Sequence, residues 1–275
     1  LRSRAAEPSA AALRAARRRV GVEPFALLFA RLRGPVATTA TAGAFWQGLR
    51  LVAWDATTVE AADTADNVAL FKRHRSGHGP AGYPQVHLSA LVECGTRALI
   101  DAVFGPRTGG EVGQVRGLLR SLTPGMLLLA DRGYDSYALM RQVADTGAHL
   151  LFRSKTRHPV PVLQALADGS GICFLPLPPH SIRYHQWVRR GGIPPQVHGL
   201  LARVIEVTIT VTTSDGATRT SSMRLLTTLL DAHRYRPPTS PGSTTSTGRP
   251  RPRSSHSRPR CAGPARSCAP TTRSE

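Results

Sequence analysis

Between Leu49 and Arg153 five short apolar runs are punctuated by polar turns and two helix-like stretches, and this order restricts the fold more than any other feature. Leu49-Arg50-Leu51-Val52-Ala53-Trp54 reads as a short buried strand that ends at Asp55 and runs into the polar Thr57-Thr58. Val86 to Val92 and Ala98 to Phe104 are two further strand-like runs, separated by the turn signal Glu93-Cys94-Gly95-Thr96. Together the three predict adjacent antiparallel strands. Glu111 to Leu122 has helical spacing and stops near Pro124-Gly125. Met126 to Ala130 is a buried strand delivering Asp131, Ser136 to Thr146 a helix, and Leu150 to Arg153 a last strand. The resulting β-β-β-α-β-α-β order predicts an α/β domain with a mixed sheet and flanking helices.

The flanks read differently. Residues 5–33 place Ala, Leu, Val and Phe at helical spacing with Arg14, Arg17, Arg18 and Arg19 close together, which predicts one or two basic amphipathic helices. From Thr156 to about Leu225 the chain is rich in Pro, Gly and β-formers, with Val204 to Val211 alternating and Ser214-Asp215-Gly216 as a hairpin turn. That stretch predicts a β-rich insertion rather than more alternating strand and helix. Residues 236–275 contain no Leu, Ile, Val, Met, Phe, Trp or Tyr, so they cannot bury a core and are expected to be a disordered tail. The expected organisation is therefore a basic helical segment over 1–47, a core over 48–155, the insertion and a return strand over 156–235, and the tail over 236–275.

Charge narrows the partner. Against 17 acidic residues stand 36 Lys and Arg, a net +19, which favours a polyanion because phosphate neutralisation releases condensed counterions. The tail's eight Arg and one Glu supply +7 of this, and the remaining +12 still points to nucleic acid ahead of a membrane surface. Cys94, Cys173, Cys261 and Cys268 form no CxxC pair, so a reducing cytoplasm is expected rather than a disulfide framework or zinc site. No apolar run reaches the length of a membrane span and no signal peptide is visible. A chain that begins at Leu1 is expected to be a fragment without its natural N-terminus.

Asp55 and Asp131 each close a strand-like run, where a fold can hold a carboxylate rigidly and leave it open to a cleft. Hard cations such as Mg²⁺, or Mn²⁺, take oxygen ligands and keep some waters, so converging carboxylates suit them. Two such ions roughly 3.5–4 Å apart can activate a hydroxyl and stabilise the leaving oxygen of a phosphodiester. Either Asp taken alone would read as a strand-end residue. Its neighbours change that.

Val52-Ala53-Trp54-Asp55-Ala56-Thr57-Thr58-Val59 and Leu127-Leu128-Leu129-Ala130-Asp131-Arg132-Gly133-Tyr134-Asp135-Ser136 resemble the first two catalytic blocks of the transposase DDE domain, in the group containing the insertion sequence four family. Phe152-Arg153-Ser154-Lys155 resembles the strand that follows in that family, and Arg224 to Asp231 the strand leading to the third block. The resemblance spans roughly Ala37 to Tyr235. It implies a ribonuclease H-like fold, a divalent-metal site at Asp55 and Asp131, strand transfer of transposon ends, and work as a homodimer on DNA. Asp101 and Asp135 occupy no catalytic place in the family pattern and are expected to be turn or surface groups. Arg132 is a candidate phosphate contact or the partner in a structural ion pair. Lys72, Arg73, His74, Arg75 and His78 read as a mobile basic loop near the Asp55 strand, a candidate DNA-backbone contact. His87 and His149, in apolar surroundings, read as core residues.

The family's third carboxylate lies on a helix with the order Tyr, two residues, Arg, three residues, Glu, six residues, Lys. Nothing of that helix follows Tyr235, where Arg236-Pro237-Pro238 is hostile to helix. Codon degeneracy lets the stretch from Arg236 to Ala269 encode, in the next frame, an amphipathic helix with Tyr, two residues, His, three residues, Glu, six residues, Lys. A frame change just after Tyr235 is therefore expected, with the catalytic Glu encoded out of frame around Pro250 and Arg251. One competing reading takes a third carboxylate from Glu60 or Asp63, as another ribonuclease H-like nuclease. A second is a DNA-binding remnant without catalysis, and a third is the product of an unexpressed pseudogene.

Overall fold

The computed structural model describes residues 7–76, 79–106, 110–155, 160–177, 183–184, 186–187, 190, 198–212 and 218–235. The expected hairpin turn at 214–216, His78 and the expected tail from Arg236 onward lie outside them.

The two basic helices are α1 (Ala10–Val20) and α2 (Glu23–Leu32). Ser9 caps α1 by accepting from the Ala12 amide, and Pro24 in the first turn of α2 costs no hydrogen bond there. Neither helix buries a residue, and Phe25, Leu27, Leu28 and Leu32 stay exposed. The segment after α2 is tied down by charge. The Ala37 amide donates to Glu93 Oε2 at 2.8 Å, and Arg50 pairs with the same buried carboxylate.

The strands are β1 (Phe45–Trp46), β2 (Leu49–Glu60), β3 (Arg73–Ser76), β4 (Gly79–Glu93), β5 (Leu99–Pro106), β6 (Met126–Ala130), β7 (His149–Ser154), β8 (Val162–Ala165), β9 (Gly171–Pro176), β10 (Gly199–Thr212) and β11 (Thr218–Thr227). Neighbouring strands run β3-β4-β2-β6-β7-β11-β10-β9-β8, with β5 on β4 and β1 on β2. The three strands predicted to be antiparallel neighbours are β2, β4 and β5, paired in that order. β2, β6 and β7 are mutually parallel. The order β5-β4-β2-β6-β7, antiparallel on one side and parallel on the other, is a ribonuclease H-like sheet. Beyond it β11 pairs antiparallel with β7 and returns the β-rich segment to the core, while β10, β9 and β8 extend the same sheet outward.

One face of this sheet is fully packed. Val52 and Trp54 of β2, Leu128 of β6, Leu150 and Phe152 of β7 and Leu226 of β11 lie in one buried cluster with Leu139, Met140 and Val143. The last three belong to α5 (Tyr137–Asp145), capped by Ser136 and ended at Gly147, whose φ of +82° suits glycine. The predicted helix over 111–122 is in fact two pieces, α4 (Gly110–Val115) and a 3-10 turn over Arg116–Ser121. The tighter winding coincides with Gly117 lying against Val103, where a Cβ would stand 3.0 Å from the Val103 side chain.

The other face is thinly covered. Leu49, Leu127 and Leu229 form a small buried cluster with Trp46, Leu51, Leu129, Leu151 and Tyr235 at its margin. Leu51, Ala53, Leu129 and Leu151 remain only partly buried there.

Three further expectations need correction. The strand expected to end at Asp55 before a turn at Thr57-Thr58 continues to Glu60, because residues 55–60 stay paired with β4. Asp101 is no surface group but wholly buried, bound by Arg120 Nε at 2.8 Å, Ser121 Oγ at 2.7 Å and Arg33 at 2.6 Å. Burial alone would raise its pKa, but the hydrogen bonds from Arg120, Ser121, the Ala102 amide and Arg33 outweigh that and hold the carboxyl well below the usual carboxylate range. The basic stretch after Lys72 is not a loop: Arg73–Ser76 form β3, in antiparallel register with residues 79–84 through a bulge between Arg73 and His74.

Candidate active site

Strand register brings the two predicted carboxylates together. Ala53 of β2 is paired with Leu129 of β6, so Asp55 and Asp131 stand two residues further along at the same level of adjacent parallel strands. Two residues also preserve the side of the sheet, because side chains alternate. Leu51 and Leu129 mark that side, the thinly covered one. Neighbouring strands lie about 4.8 Å apart, which sets the scale of the separation.

Both carboxylates are exposed. Asp55 Oδ1 accepts from the Ala56 amide at 2.9 Å. Asp131 precedes a short 3-10 turn, Arg132–Tyr134, its backbone carbonyl accepting from the Tyr134 amide at 3.0 Å, and its carboxylate pairs with Arg153 at 3.5 Å. Ala130 is paired with Phe152, so Arg153 is level with Asp131 one strand further on. Asp55, Asp131 and Arg153 thus form a row across three parallel strands, with β2 running on past Asp55 to Glu60. Beneath them Tyr134 is buried against Trp54, with ring centroids 5.4 Å apart, and Trp54 meets Phe152 at 5.8 Å. The Tyr134 phenol is pushed up to about 12, first by burial and then by the negative charges of Glu111, Asp55 and Asp131.

Asp135 accepts from the Lys155 amide at 2.7 Å and from Ser154 Oγ at 3.1 Å, fastening the loop after β6 to the end of β7. Arg132 is exposed and has no acidic partner among the described residues. A cleft of about 720 Å³ opens here, lined by Asp131, Arg132, Arg153, Lys155, Ser221 and Ser222 among others.

The remaining sequence candidates lie elsewhere. Lys72 is exposed with φ +63°, at the end of α3 (Ala65–Phe71). Arg73 donates to the Gly82 carbonyl and pairs with Asp63. Asp55 pairs with Ala90 and Arg73 with Pro84, six residues along β4, so this hairpin stands about 20 Å from Asp55. The side chain of Arg75 lies outside the described residues. Glu60 projects to the opposite side of β2 from Asp55, five residues on. Among the described residues no three His, Cys, Asp or Glu side chains gather in a way that could hold a metal ion.

His87 is buried, 3.4 Å from Thr58 Oγ1, and His149 lies 3.3 Å from Thr228 Oγ1 with its pKa lowered by burial and then by Arg234. Cys94 and Cys173 are free, and burial pushes the Cys173 thiol up to about 12, which leaves it unreactive. Arg153 and Lys155 enter the sequence reading only through their resemblance. Their place beside Asp131 follows from the β6–β7 register, which no local signal reveals.

Residues 46–169 match the model of the transposase DDE domain family, in keeping with a ribonuclease H-like sheet that sets Asp55 and Asp131 level on adjacent parallel strands. The chain is also similar to transposase InsG for insertion sequence element IS4 of Escherichia coli (strain K12), at 31% identity over 134 residues. That match spans 49% of this chain and 30% of the relative. No helix among the described residues is long and apolar enough to cross a membrane.

Proposed function

We propose that this chain is the catalytic-core part of an insertion-sequence transposase, with a divalent-metal site on Asp55 and Asp131 that lacks its third carboxylate. The single observation that carries the reading is the level placement of Asp55 and Asp131 on adjacent parallel strands. Two exposed carboxylates side by side offer the hard oxygen ligands that Mg²⁺ or Mn²⁺ takes while keeping waters. Such an ion would supply charge neutralisation and an activated hydroxyl for cutting and joining transposon ends. Asp55 and Asp131 would hold it, Tyr134 would support both from beneath, and Arg153 would balance Asp131.

On this reading the partner is DNA, Arg132 contacts its phosphates, and Lys72 at the end of α3, with Arg73 and Arg75 of β3, touches it at a distance from the cutting site. The location is cytoplasmic, at the nucleoid, and the working unit is a homodimer. The thin cover over Leu51, Leu129 and Leu151 marks where a further helix would pack. Our reading is that this helix is encoded out of frame beyond Tyr235, so transposition is negligible and stability reduced.

The test is nicking of a plasmid that carries the ends of the chain's own element, with Mg²⁺ or Mn²⁺ present. No nicking is expected. Metal-dependent nicking by the purified chain, lost in Asp55→Asn, would overturn the inactivity and keep the site. Absence of any Mn²⁺ binding would overturn the site itself. The alternative of a DNA-binding remnant without catalysis is favoured by one observation, the cationic cleft beside Asp131.

A further inference from the structure

We infer that the cleft at the end of β7, beside Asp131 and the adjoining residues 221–223 of β11, is a binding site for the phosphate backbone of DNA, with Arg153 and Lys155 as the residues that hold it. The inference rests on the transposase reading and extends it to a site to which neither the sequence pattern nor the family match gives a role.

Three cations meet there, Arg132, Arg153 and Lys155, against the single carboxylate of Asp131. The one ion pair among them, Arg153 with Asp131 at 3.5 Å, joins two side chains that are 39% and 65% exposed. Pairs that open to water contribute little, so Arg153 gives up little by turning to a phosphate. Ser221, Ser222 and Met223 of β11 line the rest of the cleft.

The backbone that carries Arg153 and Lys155 is also held in place. Arg153 is on β7, bonded on both sides by β6 and β11. The Lys155 amide is fixed by Asp135 at 2.7 Å. A backbone already held in place need not be ordered on binding, so only the two side chains lose freedom, which favours a built site over a chance basic surface. Arg153 is also one strand step from Asp131. A DNA strand whose phosphodiester lay over the two carboxylates would therefore lead its neighbouring phosphate into this cleft.

The experiment is fluorescence anisotropy of a short labelled DNA duplex of arbitrary sequence, titrated with the full chain across a series of NaCl concentrations. EDTA is present, so binding is read without metal chemistry. Arg153→Gln/Lys155→Gln is compared with the charge-matched Arg97→Gln/Arg116→Gln, both checked for wild-type melting. The cleft variant is expected to bind about tenfold or more weakly and to lower the salt slope by about two, one for each cation withdrawn from the phosphates. The control variant is expected to weaken by less than about threefold. Arg153→Lys with Lys155 intact should keep the slope, since the charge remains.

Equal affinity and slope in the two double variants would overturn the cleft assignment. So would failure of the wild-type chain to bind the duplex. Mn²⁺ binding, measured separately, keeps the two ideas apart. Weakened DNA binding in the cleft variant with no Mn²⁺ bound by any form would support the cleft and sink the metal site. Mn²⁺ binding with no effect of the cleft substitutions would do the reverse.

Discussion

Asp55 and Asp131 stand at one level on neighbouring parallel strands, two residues beyond the paired Ala53 and Leu129. Two carboxylates so placed repel each other, and Arg153 on the next strand offsets only one of them. On the proposed reading a divalent cation would relieve the rest. Wild-type chain should therefore bind Mn²⁺ weakly, and Asp55→Asn or Asp131→Asn should reduce that affinity about tenfold or more, since each removes half of the charged ligand set. Both side chains are exposed, so melting should change little. Calorimetric titration with Mn²⁺ checks the first statement and thermal unfolding the second.

Asp101 should govern acid stability. Its folded pKa lies well below the ordinary value, so its contribution is complete above the unfolded pKa of about 3.9 and is lost as pH falls towards the folded one. Stability of the wild-type chain should thus decline below about pH 4. Asp101→Ala should cost about 2 to 3 kcal/mol at neutral pH, because Arg33 and Arg120 are partly exposed and can recover some hydration. The variant should also show a flatter acid limb. Urea unfolding across a pH series reads both effects.

Arg203 pins the end of the described chain. Its side chain is fully buried, donates to Ser170 Oγ at 2.7 Å and to the Tyr235 carbonyl at 2.9 Å, and pairs with Asp168. Arg203→Met should destabilise by about 3 kcal/mol, the usual cost of leaving a buried partner uncompensated. Hydrogen exchange should rise most near Tyr235, whose carbonyl Arg203 holds. Uniformly faster exchange with no such focus would count against the anchor.

The thin face over Leu51, Leu129 and Leu151 should be sticky. The chain is expected to bind an apolar fluorescent dye in its native state, and Leu129→Lys should lower that signal while changing melting little. An unchanged signal in Leu129→Lys would show that the dye sits elsewhere, for instance on the exposed apolar side of α2.

Much of this site is legible locally. Asp55 and Asp131 each end an unbroken apolar run, and a buried strand announces itself by composition. Asp101 is not legible: a lone Asp inside a strand gives no sign of Arg33 and Arg120, which reach it from other elements. The β3 hairpin reads as a loop because Gly77, Gly79 and Gly82 mask a short edge strand. Arg153 becomes meaningful only through register, a property of two strands and the helix between them. The β-rich segment is recognisable as strands, whereas its attachment through β11 and β7 depends on long-range pairing.

The central claim is that Asp55 and Asp131 form two legs of a three-carboxylate site whose third leg is encoded out of frame. Its most direct measurement compares this chain with one whose reading frame is restored after Tyr235, in Mg²⁺-dependent cleavage of the element's own ends. The account predicts no cleavage by this chain, and cleavage by the restored chain that Asp55→Asn and Asp131→Asn each abolish. Cleavage by this chain as it stands, or by the restored chain with either Asp replaced, would contradict it.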